Sequence, residues 1–263
     1  MATYVLVPGA WLGGSAWQPV TRRLRAQGHD DVYPVTLTGL GERSHLARPE
    51  VDLETYVDDV VNLLRFEDLR DVVLVGHSYA MAVVTGVADR VPERISLLAY
   101  LDAGPSPDGA AFLDLQPPES RQLIERLAAE AGDGWRIPLP SWEELEGVMG
   151  ASLEGLGRAE RDLMAGRANP QPLPTWTQAL TLANPARDEL SKLMITCSFP
   201  LAQVRELIAT GHPWFAELAR PGWSFLELPT GHWPMFSVPE ELATLLGGLQ
   251  VAGRGDADDP GRG

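Results

Sequence analysis

Short apolar runs alternate with longer stretches of helical periodicity along most of the chain. The runs TYVLVP (3–8), DVYPVTL (31–37), DVVLVG (71–76), ISLLAYL (95–101), KLMITC (192–197) and WSFLEL (223–228) are rich in β-branched or continuously apolar residues, which predicts six buried strands. Between them, 16–27, 53–66, 79–90, 202–209 and 239–249 carry apolar residues at spacings of three and four, the signature of one-sided helices. Strands alternating with helices predict an α/β architecture, a mostly parallel sheet with helices on both faces.

The rhythm breaks once. Between Leu101 and Lys192 about 90 residues pass without a convincing strand, whereas the other crossovers take about 20 to 35. ESRQLIERLAAEA (119–131) and SWEELEGVMGASLEGLG (141–157) are amphipathic, and PSPDG, IPLP and NPQPLP form Pro-rich joints. The expected organisation is a core of 1–102 and 190–250, a helical cap of 103–189 over the carboxyl ends of the strands, and a disordered Gly/Asp-rich tail, 251–263. Arg254-Gly255-Asp256 in that tail is read as a chance triplet.

Composition narrows the function classes. A formal net charge of −15 over 263 residues argues against nucleic-acid and anionic-membrane partners and leaves a small-molecule substrate as the expected partner. The single cysteine, Cys197, excludes an intramolecular disulfide and offers no metal-ligand pair, so no metal is expected. The start MATYVLVPGAW has no basic segment before an apolar run, and no long apolar stretch follows, so a soluble, cytoplasmic protein is expected. Oligomeric state leaves no mark in the sequence.

The candidate chemistry centres on VVLVGHSYAMAVVTG (72–86). A strand that turns sharply into a helix with Ser78 at the corner presents the hydroxyl above the sheet, provided the flanking residues are small, as Gly76 and Ala80 are. Met81 is bulkier than such a corner usually carries. A turn or N-cap hydroxyl is the bland alternative for Ser78. A nucleophilic serine needs a base, and among five histidines His232, in a loop between the last strand and the last helix, occupies the same sheet edge. His77 is expected to point into packing, His29 lies at the opposite edge, and His45 and His212 sit in loops.

LVPGAW, GHSYA and GHWPMF together resemble the α/β-hydrolase superfamily, over about residues 3–250, and look most like the branch of plant methyl-ester esterases and hydroxynitrile lyases and their bacterial relatives. The resemblance implies an oxyanion hole from the backbone N–H groups of Ala10 and Tyr79. It also implies a triad acid. Plant relatives carry it after the penultimate strand, but ITCSFPLAQVRE (195–206) offers no carboxylate before Glu206. Haloalkane dehalogenases place it after the strand that follows the elbow, which here points to Asp102, with Asp108 as the fallback. Pro8 stands where the family usually has histidine.

The expected function is therefore a Ser-His-Asp hydrolase that cleaves a small, largely apolar carboxylic ester or lactone through an acyl-enzyme, chemistry that needs no organic cofactor either. Trp11, Trp135, Trp142 and Trp176 are the expected substrate-binding residues, with Trp17 as a further candidate wall and Phe112, Leu113 and Leu115 nearby; core packing would explain any of them equally. Arg43, Ser44 and His45 follow the second strand and are read as a plain loop. Three alternatives stay open: a lyase reaction, for which the lone Lys192 lies at the wrong edge; a lactone-opening or cyclising tailoring enzyme; and a non-catalytic receptor on the same fold.

Overall fold

The computed structural model describes residues 2–211 and 215–249. The chain runs β1 (Thr3–Val7), α1 (Gln18–Ala26), β2 (Val32–Pro34), α2 (Leu53–Phe66), β3 (Val72–His77), α3 (Ala80–Arg90) and β4 (Ile95–Leu101). An insertion follows: α4 (Pro118–Ala131), β5 (Arg136–Ile137), α5 (Trp142–Gly147), α6 (Arg158–Arg167), β6 (Gln171–Pro172) and α7 (Pro174–Thr177). The core resumes with β7 (Lys192–Thr196), α8 (Leu201–Ala209), β8 (Trp223–Glu227), α9 (Pro234–Ser237) and α10 (Pro239–Gly247).

All six expected strands form one parallel sheet in the order β2-β1-β3-β4-β7-β8. Every residue of β3 is buried, as its unbroken apolar run requires when helices cover both faces. The chain leaves β1 toward β2 on one side and returns as β3 on the other, which opens a crevice beyond the carboxyl ends of β1 and β3. Ala10 and Ser78 follow these two strands.

Differences from the sequence reading have local causes. The second strand ends at Pro34, an edge position where the missing N–H costs no ladder bond. The helix expected over 141–157 stops at Gly147, and the chain then turns through Gly150 and Gly155, both at positive φ. The α6 segment RAERDLMAGR buries only Met164 and so carries almost no periodic signal. The two-residue antiparallel ladder β5–β6 is likewise too short to read in advance.

Buried polar anchors tie the insertion to the core. Asp89, on α3, accepts bonds from the amides of Ala183 (3.0 Å) and Asn184 (2.9 Å) and pairs with Arg187 at 2.6 Å. Gln178 bridges the start of α2: it accepts from the Glu54 amide at 2.9 Å and donates to the Asp52 carboxylate at 3.1 Å. The expected tail, 251–263, and His212 lie outside the described residues. Among those described, no helix is long and apolar enough to cross a membrane.

One position sets how closely α3 packs on β3. A Cβ on Gly76 would stand 2.7 and 2.8 Å from the two Val84 methyls and 3.1 Å from the Ala80 carbonyl. Gly76→Ala is expected to cost about 1–3 kcal/mol through overpacking, read as a lowered urea midpoint at unchanged slope.

Candidate active site

Ser78 sits between β3 and α3 with φ 51°, a left-handed conformation rarely adopted by a residue with a side chain. Its amide still donates to the Leu101 carbonyl at 3.1 Å, so the β3–β4 ladder continues up to the corner itself. Its own carbonyl accepts from Met81 at 2.9 Å, and the chain is helical from Ala80 onward. Gly9 lies against the corner: a Cβ there would come within 2.6 Å of His77 Nδ1 and 3.3 Å of Ser78 Cβ. Ala80 is fully buried, so the corner accommodates its methyl.

Asp102 repeats the device one strand over. It follows β4 with φ 49°, and its amide donates to the Ile195 carbonyl at 2.7 Å. Its side chain is then turned toward the loop after β7. Oδ1 accepts from the amides of Cys197 (2.8 Å) and Ser198 (2.9 Å), and Oδ2 accepts from Ser198 Oγ at 2.6 Å. Burial alone would raise this carboxyl, but the bond to His232, that ring's charge and the Ser198 donors outweigh it and hold Asp102 below the ordinary carboxylate value. Asp102 is thus an anion in a buried cradle.

His232 joins the two. Its Nδ1 lies 2.6 Å from Asp102 Oδ2, and its Nε2 lies 2.8 Å from Ser78 Oγ. With Asp102 ionised, the proton sits on Nδ1 and Nε2 is free to accept from the serine hydroxyl. The His232 loop is fixed from two sides. Its amide donates to the Ser152 carbonyl at 2.8 Å, and its carbonyl accepts from His77 Nε2 at 2.6 Å. A side chain at the neighbouring Gly231 would collide with Glu154 O at 2.3 Å.

His77 does point into packing, and it does more. It is fully buried, and burial first, then the nearby His232, push its pKa down to about 3. A neutral ring whose Nε2 donates to a carbonyl leaves Nδ1 without a proton, and Nδ1 has no partner among the described residues.

The first loop is held by the insertion. Trp11, at φ 65°, donates its amide to Gln171 Oε1 (3.0 Å), accepts at its carbonyl from the Asn169 amide (2.9 Å) and donates Nε1 to the Ile137 carbonyl (3.1 Å). Gln171 is fully buried, and its amide nitrogen donates to Thr175 Oγ1 at 3.0 Å. Tyr79 OH in turn donates to the Thr175 carbonyl at 2.8 Å. The amide N–H groups of Ala10 and Tyr79 have no acceptor among the described residues.

These groups surround a cavity of about 250 Å³ that contains Ser78, His232 and one edge of Asp102. Trp11, Phe112, Trp176 and Trp233 form its aromatic wall, with Tyr79 stacked on Trp176 at 5.7 Å and Phe112 set edge-on at 4.7 Å. Trp135 and Trp142, expected in the pocket, do not line it: each is half-buried elsewhere in the insertion, near the guanidinium of Arg136 and Arg161 respectively. Trp17 and Leu113 are buried in the core, and Leu115 faces a second cavity. Asp108 is exposed and accepts from the Leu182 amide at 2.8 Å, away from His232. Arg43 braces its own loop through Thr36 O and Asp59, and His29 packs edge-on to Tyr4.

Gln171, Ser198 and the bond from His77 were not read from the sequence as parts of the site. No local pattern marks them, because Gln171 meets Trp11 across 160 residues and Ser198 meets Asp102 across 96.

Comparison with known proteins agrees with this fold. Residues 4–245 match the alpha/beta hydrolase family. A carbendazim hydrolyzing esterase of Nocardioides sp. is 37% identical over 259 residues, which cover 95% of this chain and all of that one. A pyrethroid hydrolase of Sphingobium wenxiniae is 27% identical over 92% of this chain and 85% of its own length. Among solved structures, an extracellular alpha/beta-hydrolase from a Paenibacillus species, described as sharing structural and functional homology with tobacco salicylic acid binding protein 2, superimposes with a TM-score of 0.77 at 25% identity, covering 94% of this chain and 98% of that one. With its parallel sheet, its strand-end serine and a match across nearly its whole length, the chain belongs to the alpha/beta hydrolase family.

Proposed function

We propose that the protein is a serine carboxylic-ester hydrolase whose nucleophile, base and acid are Ser78, His232 and Asp102. The observation that carries this reading is the unbroken relay from Ser78 Oγ through both nitrogens of His232 to a buried, ionised Asp102. His232 Nε2 takes the hydroxyl proton as Ser78 Oγ adds to the ester carbonyl, and Asp102 stabilises the imidazolium that results. The carbonyl oxygen becomes an oxyanion held by the Ala10 and Tyr79 amides, which have no other acceptor to give up among the described residues. As the tetrahedral intermediate collapses, His232 hands its proton to the departing alcohol. Water, deprotonated by the same nitrogen, then attacks the acyl-enzyme and releases the acid.

A small, mainly apolar group fits the aromatic cavity around Ser78, and the insertion acts as its cap. The two sequence relatives are named as an esterase and a hydrolase, which supports ester cleavage. The lyase alternative lacks its lysine: Lys192 is buried at the foot of β7, with Nζ bonded to the Asp188 carbonyl at 2.9 Å.

Intact-mass labelling with a fluorophosphonate tests the assignment. One adduct on Ser78 is expected, lost in Ser78→Ala and His232→Ala, slowed by about 10³–10⁴-fold in Asp102→Asn, and unchanged in Asp108→Asn. A folded parent that resists labelling would refute it.

Gln171→Leu removes the acceptor that fixes Trp11 beside the Ala10 amide. A loss of about 10–100-fold in kcat with KM within about twofold is expected from steady-state kinetics, because only the transition state feels a displaced donor.

The neutral state of His77 gives a pH signature in stability. An unfolded histidine, with a pKa of about 6.5, binds a proton that the folded ring refuses down to about pH 3. The unfolded state therefore binds more protons in this window, so stability rises with pH, is complete above about pH 6.5 and declines below it by up to about 1.4 kcal/mol per unit. Urea titrations between about pH 4.5 and 7 should show a shallower slope for His77→Gln than for the parent.

A further inference from the structure

The cavity around Ser78 is smaller than the range of about 300–1,000 Å³ usual for drug-sized ligands. A second cavity, of about 670 Å³, lies beside it, bounded by Tyr100 of β4, Lys192 and Met194 of β7, Met81 and Thr85 of α3, and the loop that follows Asp102. At three points, residues adjacent in the chain divide between the two linings. Asp102 borders the small cavity and Ala103 the large one; Gln116 borders the small and Leu115 the large; Ser198 borders the small, and Phe199 borders both. Met81, the bulky residue after the serine corner, also faces the large cavity. Its presence there accounts for a side chain that the corner itself does not need.

The large cavity is mainly apolar, with Tyr100, Met194 and Leu218 among its walls. Its cations are already engaged. Arg187 pairs with Asp89 at 2.6 Å and Asp188 at 3.3 Å, and Lys192 is held by the Asp188 carbonyl. A carboxylate or phosphate ligand would have to break these pairs. Asp108 and Glu217 also line it, their carboxylates bonded to the Leu182 amide and to Arg220, and among its buried side chains one polar group is left over: the Ser106 hydroxyl has no partner among the described residues. The lining therefore suits a long, uncharged alkyl or aryl group that carries at most one ether or carbonyl oxygen.

We propose that the two cavities are compartments of one substrate site, in which the ester carbonyl lies at Ser78 and one long, uncharged, apolar arm of the same molecule passes Phe199 into the larger cavity. This rests on the hydrolase reading above and extends it to substrate shape. Phe199 is half-buried and is the one side chain shared by both linings, so it acts as the partition that the arm must displace.

Two substitutions block the large compartment from different sides. Gly104 lines it, and a Cβ there would meet no atom within 4 Å, so Gly104→Phe has room to enter; Leu182, near the end of the insertion, also lines it, and Leu182→Trp enlarges the side chain there. Phe199→Ala opens the partition. The readout is the ratio of kcat/KM for p-nitrophenyl decanoate to that for the acetate, together with the matching ratio for decyl and ethyl acetate, which moves the long arm to the alcohol side. A tenfold or greater fall in one of these ratios in both blocking variants, with a rise in Phe199→Ala, is the expected result. If the acetate is turned over but neither ratio moves by more than twofold in any variant, the arm does not enter the large cavity and the proposal is overturned while the hydrolase reading stands. If the parent turns over no ester and resists the fluorophosphonate, the hydrolase reading fails and this proposal falls with it.

Discussion

Everything at the site depends on two left-handed residues at the ends of neighbouring parallel strands. Ser78 and Asp102 each donate one last ladder bond and then turn, with φ near 50°, so that their side chains leave the sheet in a common direction. For residues with a Cβ this conformation is costly, on the order of 1–3 kcal/mol each, and it persists only where the surroundings over-determine it. At Ser78 the surroundings are Gly9 and Gly76, where no side chain fits. At Asp102 they are the donors of the β7 loop, which compensate a buried charge as well as fix its direction.

The β7 loop is where plant relatives were expected to carry the acid. Here it carries no carboxylate and supplies donors instead, and the carboxylate that meets His232 comes from the end of β4. Asp102 Oδ2 is shared between Ser198 and His232, both at 2.6 Å, which restricts the His232 ring to the plane that faces Ser78. Neutral His77 holds the same ring from behind through its backbone, without placing a positive charge beside it.

The sequence revealed what depends on local periodicity and on strand ends. Six strands, five core helices, the serine corner, His232 and the position of Asp102 were legible because each is marked by an apolar run and the loop that follows it. The choice of indoles was not. Trp135 and Trp142 lie on the insertion as Trp176 does, yet only Trp176 turns inward, and that depends on the tertiary path of a segment rich in proline and glycine. Gln171 was invisible for a related reason. It looks like a linker residue in NPQPLP, and its burial follows from a partner at Trp11.

The bonds to Trp11 carry a consequence for how new specificities arise on this fold. A cap that only covers a pocket can be exchanged as a module, and the catalytic machinery beneath survives the graft. In this protein the insertion grips the first loop at three atoms of Trp11, at Tyr79 through Thr175, and at the His232 loop through Ser152. Recombination at the insertion boundaries would separate the donors from their supports. Drift within the insertion, residue by residue around a fixed Gln171–Trp11 anchor, is the open evolutionary route, and the same holds for a designer who wants a different substrate from this scaffold.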